Sequence, residues 1–276
     1  MINWNDILHH AFAGAVLALL FSKNQKAWPY FFIGVASALL PDVTKVLLKD
    51  LYLHSLFVAP FISLLIAWVL KLFWRSEPFI RLFGAVFAAI VVGHLVLDFL
   101  DNGNAMFYPL IKDDLEYSII SKTTPVVWAS ALVAIVVGFA IKKVRFLAII
   151  GVFVIILYCG FQVTSKVVVT NALKVQYPIP DLTIILSPEG EWPWEDRIWW
   201  YHIESDLFLA SGESNATGRK IVQSIFYYTP EIKLQYRVEE WTRKENYTLI
   251  KCYDEISSQT VFFKSEDGIH WSTASQ

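Results

Sequence analysis

Two different patterns of hydrophobic and polar positions divide the chain. Up to about residue 165, long apolar runs alternate with short polar segments, and six runs approach the roughly 20 residues that a membrane-spanning helix needs. After Lys166 the apolar runs shorten and alternate with polar residues, which is typical of strands. The six long runs cover about residues 7–22, 28–48, 54–74, 80–100, 125–141 and 144–165.

This pattern predicts two domains of different class. Residues 1–165 are expected to form an all-α bundle of about six transmembrane helices. Residues 166–276 are expected to form a soluble, mostly β extramembrane domain, with turns at Gly, Pro, Asn and Ser. The predicted strands are KVVVTNALKV, LTIILS, RIWWYHIES, KIVQSIFYYT, EIKLQYRVEEW, YTLIKCYDEI and TVFFKS.

Composition and charge agree with this division. The chain is 55% hydrophobic and 17% charged, with a mean hydropathy of +0.46, which excludes a disordered chain. The net charge of −2 gives no reason to expect nucleic-acid binding, and two cysteines are too few for a disulfide framework. Lys and Arg outnumber Asp and Glu by 12 to 9 in residues 1–165, whereas acidic residues outnumber basic ones by 16 to 11 in residues 166–276.

The distribution of basic residues predicts the orientation. Cytoplasmic loops of membrane proteins are enriched in Lys and Arg. Counting the predicted helices in order, the N-terminus, the even loops and the C-terminal domain should face the extracytoplasmic side of the membrane. The three odd loops hold eight basic residues, namely Lys23, Lys26, Lys71, Arg75, Arg81, Lys142, Lys143 and Arg145.

Histidines and aspartates lie at the predicted extracytoplasmic ends of four helices. Ionisable side chains are costly inside a membrane, so they are candidates for a functional site. Four segments distant in sequence should bring them to one level, whereas chance would scatter them over both faces. The residues concerned are His9, His10, Asp42, His54, His94 and Asp98.

The spacing of His94 and Asp98 points to a metal site. Residues four apart share one face of a helix, so an imidazole and a carboxylate can bind the same cation, with Zn²⁺, Mn²⁺ and Fe²⁺ as candidates. Asp101 falls on the same predicted face as a candidate orienting residue, general base or further ligand. Gly14 and Gly93 should let neighbouring helices approach closely.

Four short motifs occur in the order HAFAG, ALLPD, LHS and GHLVLD over about residues 8–110. In this order they resemble the YdjM-type inner-membrane metal-dependent hydrolases. The matching residues are His10 with Gly14, Pro41 with Asp42, His54 with Ser55, and His94 with Asp98.

The resemblance implies a distant relation to zinc-dependent phospholipases C and single-strand nucleases. It implies Asp42, His54, His94 and Asp98 around one zinc, with His10 and a bridging Asp98 at a neighbouring one. The expected cofactor is therefore a divalent metal, zinc, as one or two ions.

The chain also departs from the family pattern. Thr44 stands where members have a second aspartate, and Lys49 and Asp50 stand where many have a His-Arg pair. Asp101 replaces a threonine, and the third zinc site of the soluble phospholipases has no counterpart. Two alternatives remain open at this point: a divergent member with one or two metals, and a degenerate member with none.

The function expected from these observations is a membrane-bound metal-dependent hydrolase. Its substrate would carry a phosphoester bond in a membrane lipid or lipid-linked molecule, and Asp101 or Asp42 would accept a proton. One alternative is a catalytically degenerate sensor or scaffold whose β domain binds a protein partner. Another is a transporter that uses the histidines and aspartates as an ion pathway.

Overall fold

The structure is a computed structural model. It describes residues 4–48, 52–101, 103–121, 124–177, 182–190, 192, 194–204, 208–227, 236–244, 247–254, 257, 259–265 and 272–274. These residues fall into two compact units, Met1–Val163 and Thr164–Gln276, which we describe separately.

The first unit is helical. Its helices are α1 (Trp4–Leu19), α2 (Ala27–Leu48), α3 (Ala59–Phe73), α4 (Phe79–Ile90), a π-helical turn (Val91–Val96), α5 (Leu97–Leu100), α6 (Pro125–Ala140) and α7 (Val144–Gln176), whose second half belongs to the second unit. Short 3₁₀ helices occur at Asn24–Lys26 and Tyr52–His54. Each of the six predicted runs therefore contains a helix.

The predicted number of membrane spans is wrong. Two helices in the described residues are long and apolar enough to cross a membrane, not six: Phe79–Leu100, which combines α4, the π turn and α5, and Val144–Gln176. The other apolar helical stretches are too short by this measure, namely Ala27–Val43 of α2, Ala59–Phe73 and Pro125–Ala140. The 15 residues of α3, for example, extend about 22 Å, whereas the hydrocarbon core is about 30 Å thick.

A glycine contact brings the first helices unusually close together. A Cβ atom at Gly14 of α1 would collide with the Ala38 Cβ and would lie 2.6 Å from the Gly34 carbonyl oxygen in α2. A Cβ at Gly93 of the π turn would lie 2.9 Å from the Gly14 Cα. The predicted close approach at Gly14 and Gly93 is thus present, and it places His10 against the π turn.

In its described residues, the second unit contains an antiparallel sheet of eight strands, each paired with its neighbour in sequence. The strands are β1 (Thr183–Pro188), β2 (Trp199–Glu204), β3 (Phe208–Ser214), β4 (Lys220–Tyr227), β5 (Tyr236–Lys244), β6 (Tyr247–Asp254), β7 (Gln259–Ser265) and β8 (Ser272–Ala274). On β2, Trp199, Tyr201 and Ile203 are buried, and Trp200 and Glu204 are exposed. This alternation is that of a sheet with one covered face.

The end of α7 packs against the sheet. The Trp199 indole donates a hydrogen bond of 2.7 Å to the Ser165 hydroxyl, which donates one of 2.9 Å to the Ala216 carbonyl. The prediction of a strand at KVVVTNALKV is therefore wrong, because these residues continue the helix to Gln176. Strands β3 and β8 were not predicted.

Candidate metal centre

Five side chains from four distant segments meet near one end of the helical unit. His10 lies near the start of α1, Asp42 near the end of α2, and His54 ends the 3₁₀ helix before α3. His94 belongs to the π turn and Asp98 to α5. The structure therefore brings together all five residues that the sequence analysis selected as metal ligands.

The first group of ligand atoms consists of His10, His94 and Asp98, all buried, with one atom of each within 4.8 Å of the others. The Asp98 carboxylate lies between the two imidazoles. Its Oδ1 is 3.1 Å from the His10 Nε2, and its Oδ2 is 3.4 Å from the His94 Nε2. Asp98 thus offers one oxygen to each histidine.

The second group consists of Asp42, His54 and His94, with ligand atoms again within 4.8 Å of one another. The Asp42 Oδ1 is 3.6 Å from the His54 Nε2 and 3.8 Å from the His94 Nε2. The two Nε2 atoms are 3.3 Å apart. His94 therefore belongs to both groups, so the five residues form two overlapping triads.

The ring orientation of His10 is fixed by the backbone. Its Nδ1 lies 3.1 Å from the Gly93 carbonyl oxygen. A carbonyl oxygen only accepts hydrogen bonds, so Nδ1 carries the proton and Nε2 faces the carboxylates. A second carboxylate, that of Asp6 one turn earlier in α1, lies 3.5 Å from the same Nε2. The sequence analysis missed Asp6, although its spacing of four residues from His10 was visible.

The π turn is supported from outside the helix. A wider helical turn leaves carbonyl groups in need of other donors. The Asn104 side chain donates a hydrogen bond of 2.9 Å to the carbonyl oxygen of Leu95, the residue after His94. Backbone bonds from Asp101 and Gly103 to the Asp98 carbonyl, 3.1 and 2.7 Å long, close the following turn.

Asp101 and His9, two further residues considered in the sequence analysis, lie outside the triads. Asp101 belongs to neither triad. The helix ends at Leu100 and Asp101 has non-helical torsion angles, so the predicted helical face shared with Asp98 does not extend to it. His9 is buried and its Nε2 lies 2.5 Å from the Thr124 carbonyl oxygen, which ties α1 to the segment before α6. Lys49 and Asp50 lie outside the described residues.

A different polar cluster occurs on the other side of the helical unit, where α1 leads into α2 and α3 into α4. Glu77 is only 3% exposed, and its carboxylate accepts hydrogen bonds from the Lys26 ammonium at 2.5 Å and the Tyr30 hydroxyl at 3.2 Å. The bond from Lys26 lowers the pKa of Glu77 against the opposing effect of burial. The Lys71 ammonium donates a bond of 2.5 Å to the Glu77 backbone carbonyl.

The apolar helices surround a buried polar cluster, and two of them are long enough to span a bilayer. These features are typical of an integral membrane protein. The sequence model of the YdjM inner membrane protein family matches residues 6–169, more than half of the chain. The chain belongs to this family. No curated protein and no solved structure matches it.

Proposed function

We propose that this inner membrane protein is a metal-dependent hydrolase of phosphoester bonds in a lipid or lipid-linked substrate. The observation that carries the proposal is the pair of overlapping triads, His10–His94–Asp98 and Asp42–His54–His94. Three imidazoles and two carboxylates from separate helices meet in an apolar bundle, and desolvating them is unfavourable unless a partner compensates for it.

The donor set fits zinc. Zn²⁺ binds neutral imidazole nitrogens and carboxylate oxygens, and the two triads offer nitrogen and oxygen ligands alone. The fixed proton on the His10 Nδ1 leaves its Nε2 free to act as a ligand, and Asp98 has one oxygen beside His10 and the other beside His94. One ion between the two triads, or two ions that divide the five side chains between them, would both be compatible with this donor set.

A bound divalent cation would supply Lewis-acid polarisation of a phosphoryl oxygen and a water of lowered pKa. The residues of the chain would orient the ligands and exclude bulk water, since His10, His54 and His94 are buried. Asp42 is partly exposed and is our candidate for accepting a proton; Asp101 is the second candidate.

We further propose that the helical unit is multi-pass and that the cluster and the C-terminal unit are extracytoplasmic. The excess of basic residues at the Lys26–Glu77 end supports this orientation. Apolar side chains exposed on the shorter helix α3, among them Phe61, Leu65 and Trp68, support its lying within the bilayer beside the two long spans. An alkaline phosphatase fusion after Tyr177 should be active, and a cytoplasmic reporter there inactive; the reverse pattern rejects this topology.

The hydrolase proposal is tested on the purified full chain in detergent. Metal analysis should find zinc, and the protein should hydrolyse hexadecyl p-nitrophenyl phosphate in mixed micelles. His94→Ala should abolish both, whereas His202→Ala should change neither, because His202 stacks on Trp200 in the sheet, far along the chain from the triads. Zinc without hydrolysis would reject the enzyme and favour the sensor or scaffold, and absence of both would reject the metal centre.

A further inference from the structure

The connection between α5 and α6 exposes an apolar pair next to a run of charges. Leu110 is 76% and Ile111 42% exposed. The next three residues, Lys112, Asp113 and Asp114, are charged and exposed as well. An aliphatic pair followed at once by charged side chains is the arrangement expected where hydrocarbon meets the headgroup region of a bilayer.

This apolar pair is held by a fixed loop. The Ser55 hydroxyl donates a hydrogen bond of 2.5 Å to the Tyr108 carbonyl, and the Leu56 amide donates one of 2.9 Å to the Met106 carbonyl. On the other side, Asn104 and Leu115 exchange backbone bonds of 3.2 and 2.9 Å. Because both sides are tied, the apolar pair has a defined position.

The same contacts join the loop to the metal centre. Ser55 directly follows His54, and the Leu95 carbonyl held by Asn104 directly follows His94. The ring of Phe57, which is 45% exposed, lies 6.4 Å from that of Phe107 between centroids and extends the apolar surface. The hydrogen bonds that hold the loop are therefore made by residues directly next to His54 and His94 in the chain.

We propose that Phe57, Leu110 and Ile111 form a lipid-contact surface that selects phosphoesters carried by a long-chain amphiphile in the bilayer over water-soluble ones. The selection rests on the proposed hydrolase function, whereas the lipid contact does not. The charged residues after Ile111 stay in the headgroup region and so set how deeply this surface enters the bilayer. The alkyl chain of the amphiphile then lies along the aliphatic residues, and its phosphate group lies near the histidines.

The lipid contact is tested without any enzyme assay. Full-length Cys159→Ser/Cys252→Ser protein, with Leu110→Cys, Ile111→Cys or Asp113→Cys added singly, is spin-labelled in vesicles of phosphatidylethanolamine and phosphatidylglycerol. Labels at 110 and 111 should collide more with oxygen than with a water-soluble nickel chelate, and the label at 113 should show the reverse. Equal nickel accessibility at all three positions overturns the surface.

The selection is tested with two substrates that differ only in alkyl chain. Wild-type protein should show a higher kcat/KM for hexadecyl than for methyl p-nitrophenyl phosphate in mixed micelles. Leu110→Ser/Ile111→Ser should lower the value for the hexadecyl ester about 10-fold and leave the methyl ester unchanged. Equal losses for both esters, or none, overturn the selection.

The control variant replaces two exposed apolar residues at the far end of α3. Leu72 and Phe73 are exposed at the end of α3 that lies away from Ser55. Leu72→Ser/Phe73→Ser should leave both esters unchanged, and a loss confined to the hexadecyl ester in this variant overturns the assignment to the loop. If wild-type protein hydrolyses neither ester, the hydrolase proposal and the selection fail, while the spin-label profile still decides the lipid contact.

Discussion

In the described residues of the helical unit, two buried polar clusters differ in the groups that their carboxylates contact. At the Glu77 cluster a carboxylate is matched by the Lys26 ammonium and the Tyr30 hydroxyl, so the charges balance within the chain. At the triads, carboxylates pair with imidazoles, which carry a charge only when protonated. The first cluster is therefore complete as a structural element, whereas we propose that an added cation completes the second.

The largest expected difference between the clusters is in metal binding. His94 belongs to both triads, so His94→Ala should remove all bound zinc, with an affinity loss of more than about 100-fold. His10→Ala and His54→Ala each disrupt one triad. If the protein binds two ions, each of these variants should retain one, as measured by metal analysis after dialysis. Full zinc content in His94→Ala would contradict the shared role of His94.

At the other cluster, the main effect should be on stability. Lys26→Met keeps the aliphatic stem but leaves the Glu77 carboxylate buried without its cation. Lys26 is 37% exposed, so solvent compensates in part, and we expect a loss of about 2 kcal/mol in unfolding free energy with unchanged zinc content. Lys23→Met, an exposed lysine of the same loop, is the control and should cost under about 0.5 kcal/mol. Equal losses in the two variants would show that the ion pair contributes nothing.

The same cluster predicts a pH dependence. Because Lys26 lowers the pKa of Glu77 in the folded protein, the unfolded chain takes up a proton first as the pH falls. The stability that this pair contributes should be complete above the ordinary glutamate value of 4.5 and decrease below it, through the lowered folded pKa. Thermal unfolding of wild type and Glu77→Gln should therefore converge at acid pH. A constant difference down to the acid limit would contradict the lowered pKa.

The smallest expected effect concerns His9, which adjoins the triads without joining them. His9→Ala removes the hydrogen bond to the Thr124 carbonyl and should cost about 1 kcal/mol of stability. Zinc affinity should fall by less than about 10-fold, and His9→Gln, which keeps a donor, should recover most of the stability. A loss of zinc as large as that of His94→Ala would make His9 a ligand.

The five proposed ligands could be found from the sequence because helix alternation is a strong constraint. In an antiparallel bundle, a residue at the start of one helix and a residue at the end of the next lie on the same side, regardless of the conformation of the loops. The π turn was not foreseeable in this way. It depends on the Asn104 side chain, which reaches the Leu95 carbonyl from a loop nine residues further along the chain.

Local propensity misled the prediction around Lys166. The run Val167–Val169 favours a strand, but a helix already formed by the preceding apolar residues continues by adding one hydrogen bond per residue. Ser165, Val169, Leu173 and Tyr177 are all buried at intervals of four, a helical period that was present in the sequence. Strand β3 was missed because its own sequence, FLASGES, is rich in small residues and has little strand propensity. Its pairing with β2 and β4 makes it a strand.

The most direct test of the metal centre is zinc-edge X-ray absorption of the purified full chain, loaded with zinc. The triads predict a first shell of nitrogen and oxygen at about 2.0–2.2 Å, with the multiple-scattering signature of histidine rings and no sulfur. This signature should disappear in His94→Ala and persist in His202→Ala. Bound zinc with a sulfur shell, or with no histidine signature, would contradict a metal centre built from these histidines and aspartates.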